Sequence, residues 1–318
     1  MKAVRFHQVG GPEVLRYEDV ETPAPGAGEV RVRVATSAFN AADDGMRAGF
    51  LPIPVVLPHV PGYDVSGTVD ALGDETGDSG LQVGDQVVGF LPMERDGGAA
   101  EYVVASADAL VLAPRNVPLP DAAGLPSVAL TAWQALFDLG ELTAGQRVLV
   151  NGAGGVVGKY AVALARRAGV HVVATVSPRS RGAVEAAGAK QVIDHTTTDV
   201  LGAVEGQVDV LVNLAPIEPD RFTALVAVVR DGGKVVSTTA FMDTPGDGSR
   251  GVSAETVFVR PDRDRLAELV SLVDSGELRV EVTRRISLTE LPALHAEAAD
   301  GGIAGKVIVE PAWAPADR

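Results

Sequence analysis

The sequence predicts an α/β protein of two domains, a barrel-like β domain followed by a doubly wound parallel sheet. Three observations predict it. Up to about residue 118, alternating apolar runs are separated by glycine- and proline-rich turns and helical periodicity is absent. Beyond Pro118, short apolar runs alternate with amphipathic stretches, the order of strands and crossover helices. Within that second half, V148–G158 carries a buried strand into a glycine-rich turn and then a helix. A chain of 318 residues, 46% hydrophobic and 22% charged, is long enough to bury two cores.

In order along the chain, VRVRVATSAF at 30–39 alternates apolar and polar positions as a half-buried strand does. Strand-like runs follow at 65–69, 86–90 and 102–104, between turns such as PGY and VGD. Residues 120–139 have helical spacing broken near Pro126. RVLVNGAG, GKYAVALARRAG and VHVVATV then form a βαβ unit. A weaker helix in RSRGAVEAAGA precedes the run QVID. VDVLVNL and GGKVVSTTA add two strands, with a helix at 220–229 between them. The tail reads as a helix at 263–275, ELRVEVTRRI, a short helix near 291–299 and the strand KVIVEP, which is expected to return to the first domain. The boundaries are therefore 1–118 with 262–318 for one domain and 119–261 for the other.

Composition removes several function classes. Forty-two acidic against 27 basic residues give a formal charge of −15, which repels phosphate backbones and anionic membranes and argues against nucleic acid as the partner. No run of 18 apolar residues occurs, and MKAVRFHQVGGPEVL meets charge and glycine at once. Neither a membrane span nor a signal peptide is expected, and the expected compartment is cytoplasmic. With no cysteine there is no disulfide, thiol nucleophile or cysteine-ligated zinc, and five scattered histidines do not suggest a metal site.

The chemistry concentrates in VLVNGAGGVVG. Ala153, Gly155 and Gly158 fill an A-x-G-x-x-G pattern, and Gly154, Val156 and Val157 complete a turn whose N–H groups can approach a pyrophosphate. Where an NAD site carries an acid at the end of the second strand, this chain has Ser177, Arg179 and Arg181, and no acid before Glu185. A hydroxyl and guanidinium forks suit a 2′-phosphate, so NADPH is the expected cofactor; the alternative is solvated charge at a helix start.

The order of segments resembles the zinc-free quinone oxidoreductase (zeta-crystallin-like) branch of the medium-chain dehydrogenase/reductase superfamily. VGGPEVL, PGAGEVRVRV, NAADDGMRAG, LPHVPGYDVSGTV, VGDQVVGF, GGAAEYVV, TAWQAL, the glycine turn, VSPRS, VIDH and GKVIVEP carry the resemblance over nearly the whole chain. It implies a GroES-like domain built from both chain ends, a Rossmann domain between, an NADPH-filled cleft and a homodimer. Zinc-dependent relatives place cysteine where Asn40 stands and Gly-His-Glu where Gly62, Tyr63 and Asp64 stand, so no catalytic zinc is expected. Without a Lewis acid, the easier hydride acceptor is a quinone or an α,β-unsaturated carbonyl, which spreads the incoming charge itself. The leading expectation is an NADPH-dependent quinone reductase. An enone or enoyl reductase and a non-catalytic NADPH-binding regulatory protein are the alternatives.

Asn40 resembles the family asparagine near the nicotinamide, or else closes an Asx-turn. Tyr63 is either a proton donor to a developing enolate or a packed core residue. Thr131 resembles the threonine beside the cofactor, or back-bonds within its helix. Phe50, Phe241 and Phe258 are candidates for an apolar pocket, Phe258 on its cofactor side, or are simply core. Val156, Asn213 and His195 depart from the family pattern, His195 standing where relatives place a tyrosine near the adenosine.

Overall fold

The computed structural model describes residues 1–239 and 241–312, apart from the side chain of Asp78. Ala240, the last residue of a run read as strand, and 313–318 at the end of the predicted first domain lie outside the described residues. The chain divides into two compact units, Met1–Ser127 with the segment from Arg260 onward, and Val128–Val259.

In the first unit, β1 (Lys2–Phe6) and β2 (Leu15–Asp19) form an antiparallel pair. β3 (Glu29–Ala38), β4 (Asp64–Leu72), β5 (Gln86–Phe90), β6 (Tyr102–Ser106) and β7 (Leu110–Leu112) build the main sheet, in which β3 pairs with both β4 and β6. Two register shifts between β3 and β4 bend it, as bulges do in curved sheets. The helix α1 (Ala41–Ala48) follows β3 and ends at Gly49, whose φ of 76° suits glycine. The short α2 (Leu119–Ala122) and the start of α3 (Pro126–Trp133) come next. Residues up to Ser127 stay with this unit, past the expected boundary at 118. Thr36 Oγ1 donates to the Pro120 carbonyl at 2.6 Å, and Ser127 bonds to Asp64.

In the second unit, a π-helical turn at Gln134–Leu139 follows α3. β8 (Arg147–Asn151), α4 (Val156–Arg167), β9 (His171–Val176), α5 (Arg181–Ala187), β10 (Gln191–Asp194), α6 (Val200–Ala203), β11 (Val208–Asn213), α7 (Pro219–Leu225), β12 (Val229–Ser237) and β13 (Ser253–Thr256) follow in order. The strands lie in the order β10-β9-β8-β11-β12-β13, all parallel. Both faces are covered, so β8, β9 and β11 are nearly continuous apolar runs. Leu149, Val173, Leu211, Phe222 and Val235 anchor the core on one side; burying a side chain of this size stabilises by about 1.5–3 kcal/mol.

The chain then returns to the first unit through α8 (Arg263–Asp274), β14 (Arg284–Ser287), α9 (Leu291–Ala299) and β15 (Val307–Glu310). β15 pairs antiparallel with β3 through Ile308 and Val309, so the last strand joins the first unit's sheet as expected.

Candidate active site

In the second unit the site grows from the end of β8. Gly152 turns the chain with a φ of 87°, Ala153 is fully buried, and Gly155 caps α4. A Cβ on Gly158 would stand 2.5 Å from the Gly152 carbonyl oxygen, so only glycine lets α4 approach the turn this closely. The first-turn N–H groups of Val156, Val157 and Gly158 have no carbonyl within the helix to receive them and lie at the positive end of its dipole. Beside them, Gly154 faces Ser180, whose Oγ lies 2.2 Å from where a Cβ would be. Glycine at both positions lets Ser180 and α4 close on the turn, and the N–H groups left at the helix start suit an anionic diphosphate.

The loop after β9 stands next to this turn, since the Ala153 N–H donates to the Thr175 carbonyl at 3.1 Å. Ser177 is half-buried there, and Arg179 is exposed with no ion pair or side-chain hydrogen bond among the described residues. Arg181 is the first residue of α5 and pairs with Glu185 at 3.2 Å. The exposed His195 comes to the same corner, its N–H donating to the Val176 carbonyl at 3.1 Å. Thr131 lies half-buried on α3, and Phe241 and Phe258 are 79% and 61% exposed. The pattern that marks phenylalanine as core therefore does not apply to either ring.

In the first unit, Asn40 caps α1 and is the hub of a polar cluster. Its Nδ2 donates to Asp64 Oδ2 at 2.9 Å, and its Oδ1 accepts from Lys306 Nζ at 2.5 Å and from Ser127 Oγ at 3.3 Å. Asp64 is wholly buried and also accepts from Lys306 Nζ at 3.0 Å, Ser127 Oγ at 2.6 Å and the Ser127 N–H at 2.7 Å. Asp43 accepts the N–H groups of Asn40 and Gly62, both at 2.7 Å. Burial nonetheless pushes its carboxyl up to about 7, against those two hydrogen bonds and with help from the nearby Asp64 charge.

Of the two readings of Tyr63, its surroundings match the packed one. Its side chain is 1% exposed and its hydroxyl pairs with His59 Nε2 at 2.8 Å. Burial raises the phenol far above its ordinary range and lowers His59. Tyr63 is the packed core residue, with its hydroxyl committed inside its own unit. Phe50, just past Gly49, is 81% exposed. Asn40 and the Tyr63 segment are brought together through the Asp43 bridge to Gly62.

Residues 26–115 match the model of the alcohol dehydrogenase GroES-like domain, and 187–309 match that of the zinc-binding dehydrogenases. A chloroplastic quinone oxidoreductase of Triphysaria versicolor is 32% identical over 331 residues, covering 98% of both chains. The chain belongs to the quinone oxidoreductases of the medium-chain dehydrogenase/reductase superfamily. The solved quinone oxidoreductase of Coxiella burnetii is similar at 30% identity with a TM-score of 0.87, covering 98% of this chain and 99% of that one. A mycobacterial protein solved in complex with NADPH is similar at 27% identity and TM-score 0.85, covering 98% of this chain and 100% of its own. The first unit is accordingly the GroES-like domain and the second the Rossmann domain of this family. Although one matching family is named for zinc, no group of three or more His, Cys, Asp or Glu among the described residues is placed to hold a metal ion. No helix among the described residues is long and apolar enough to cross a membrane.

Sequence reasoning missed Lys306, Ser127 and Asp43 as neighbours of Asn40. One signal was present: Lys306 opens the apolar strand KVIVEP, where a lysine 2% exposed needs a buried anion.

Proposed function

We propose that this enzyme reduces a quinone with NADPH and without a metal. The observation that carries the cofactor reading is the exposed Arg179 beside Ser177 after β9, next to the glycine turn and with no ion pair or side-chain hydrogen bond among the described residues. Val156, Val157 and Gly158 hold the diphosphate with their N–H groups, while Arg179 and Ser177 receive the 2′-phosphate. Arg181, drawn toward Glu185, contributes charge more than direct contact. The bound dinucleotide supplies the hydride.

The chain's own contribution is placement. Asn40 is held by Asp64, Lys306 and Ser127, so its amide is a rigid element of the site rather than a mobile proton carrier. With Tyr63 committed to His59, the proton that completes the hydroquinone comes from water. Phe50 in the first unit, and Phe241 and Phe258 in the second, each expose aromatic surface to solvent, the kind of surface that contact with a flat apolar molecule covers favourably. The edge strand β13, half-exposed and paired among the described residues only with β12, supports assembly of two copies through the Rossmann sheets.

The test is consumption of NADPH by purified protein with naphthoquinone, phenanthrenequinone and a trans-enone in parallel. Turnover with the quinones is expected. Turnover with the enone alone would replace this reading by carbon–carbon double-bond reduction.

A further inference from the structure

A row of buried polar side chains crosses the Rossmann sheet at the ends of four adjacent strands. Thr175 lies on β9, Asn151 on β8, Asn213 on β11 and Ser237 on β12, with Thr239 two residues beyond. Asn213 is in register with both Asn151 and Ser237. All five are buried. None of the five carries a charge.

The hydrogen bonds run in one direction. The Gly152 N–H donates to Thr175 Oγ1 at 2.9 Å, and that hydroxyl donates to Asn151 Oδ1 at 2.8 Å. Asn151 Nδ2 donates to Asn213 Oδ1 at 2.7 Å, and Asn213 Nδ2 donates to Ser237 Oγ at 3.3 Å. Ser237 Oγ also accepts the Thr239 N–H at 3.2 Å. Both of its lone pairs are then used, so its proton must go to Thr239 Oγ1, 2.7 Å away. The Thr239 hydroxyl therefore ends the chain as an acceptor on one side, and its own proton has no acceptor among the described residues. A hydroxyl whose lone pair is already engaged is a stronger donor, and a buried one left unspent is costly.

The place of this donor gives its partner. Ligands of open parallel sheets sit beyond the carboxyl ends of the strands, one nucleotide over each half. The phosphate-binding residues after β9 put the adenosine half on that side, which leaves the ends of β11 and β12 to the nicotinamide riboside half. We infer that the Thr239 hydroxyl donates a hydrogen bond to an oxygen of the nicotinamide riboside half of the cofactor, with its direction set by the polar row beneath it. This rests on the NADPH reading above.

Calorimetric titration of Thr239→Val and Thr239→Ser with three ligands tests it: NADPH, its analogue without nicotinamide (2′-phospho-ADP-ribose), and adenosine 2′,5′-bisphosphate. Thr239→Val should weaken NADPH about tenfold and leave the bisphosphate unchanged, while Thr239→Ser keeps wild-type affinity. Loss for NADPH alone places the accepting oxygen on the carboxamide, and loss shared by 2′-phospho-ADP-ribose places it on the ribose. Equal weakening of all three ligands, or of none, would overturn the inference. Failure of the wild-type protein to bind NADPH would instead overturn the cofactor reading, and the two failures are distinct.

Discussion

At the scale of single residues, two cations carry opposite consequences. Arg179 is exposed and uncommitted, so Arg179→Ala should leave stability unchanged and raise the KM for NADPH about tenfold or more, the worth of a charged hydrogen bond. The KM for NADH should stay as it was; parallel losses for both cofactors would remove Arg179 from the site. Lys306 is enclosed with Asp64 and Asn40, and Lys306→Met would leave a buried carboxylate without its cation. That costs about 3–5 kcal/mol, read from urea unfolding; a loss below about 1 kcal/mol would show that the Lys306–Asp64 pair is not what holds this cluster together. The first of these residues was legible because its meaning follows from spacing after the glycine turn. The second was not, because its partners lie far away in sequence and only the return of β15 to β3 brings them within reach.

Among the elements, α4 and α5 give a matched pair of glycine tests. Gly158→Ala drives a Cβ onto the Gly152 carbonyl, and overpacking of this kind costs about 1–3 kcal/mol. NADPH binding should fall with it, since the displaced turn carries the N–H cradle. Gly182, on α5, has nothing within 4 Å of its added Cβ. Gly182→Ala should therefore stabilise by about 0.4–1 kcal/mol through the unfolded chain. Thermal unfolding checks both, and a loss at Gly182 would contradict the open environment assigned to it. The elements that the sequence hid share a physical cause. α1, AADDGMRA, has few apolar positions and a central glycine, so its periodicity is faint; it is fixed by the Asp43 bridge and by Arg47 reaching the Gly10 carbonyl. β13 is four residues long and exists through its pairing with β12. By contrast, β5 and α9 were readable almost to the residue, because burial on one or both faces imposed a clear pattern.

For the whole molecule, pH stability follows from three buried groups of opposite sign. Burial lowers His59 and His295 below the ordinary 6.5. Their contribution to stability is present above that value and is lost as pH falls through the lowered folded-state pKa. Asp43 is raised from 3.8 to about 7, so its contribution is full below 3.8 and is lost as pH rises through about 7. Between pH 5 and 8 the melting temperature of the wild-type protein should therefore fall relative to that of Asp43→Asn; a constant difference across that range would return Asp43 to an ordinary ionised carboxylate. Two units, one parallel sheet and a glycine turn were visible from composition and periodicity, whereas the polar row and the Asn40 cluster required knowing which strand ends meet. The proposed reaction takes NADPH and passes hydride to a quinone unaided by metal. It is tested most directly by the ratio of kcat/KM for NADPH and NADH with one quinone acceptor, measured with and without a chelator. A preference for NADPH of about tenfold or more, unchanged by the chelator, is the predicted result. Equal use of the two cofactors, or activity that the chelator abolishes, would contradict it.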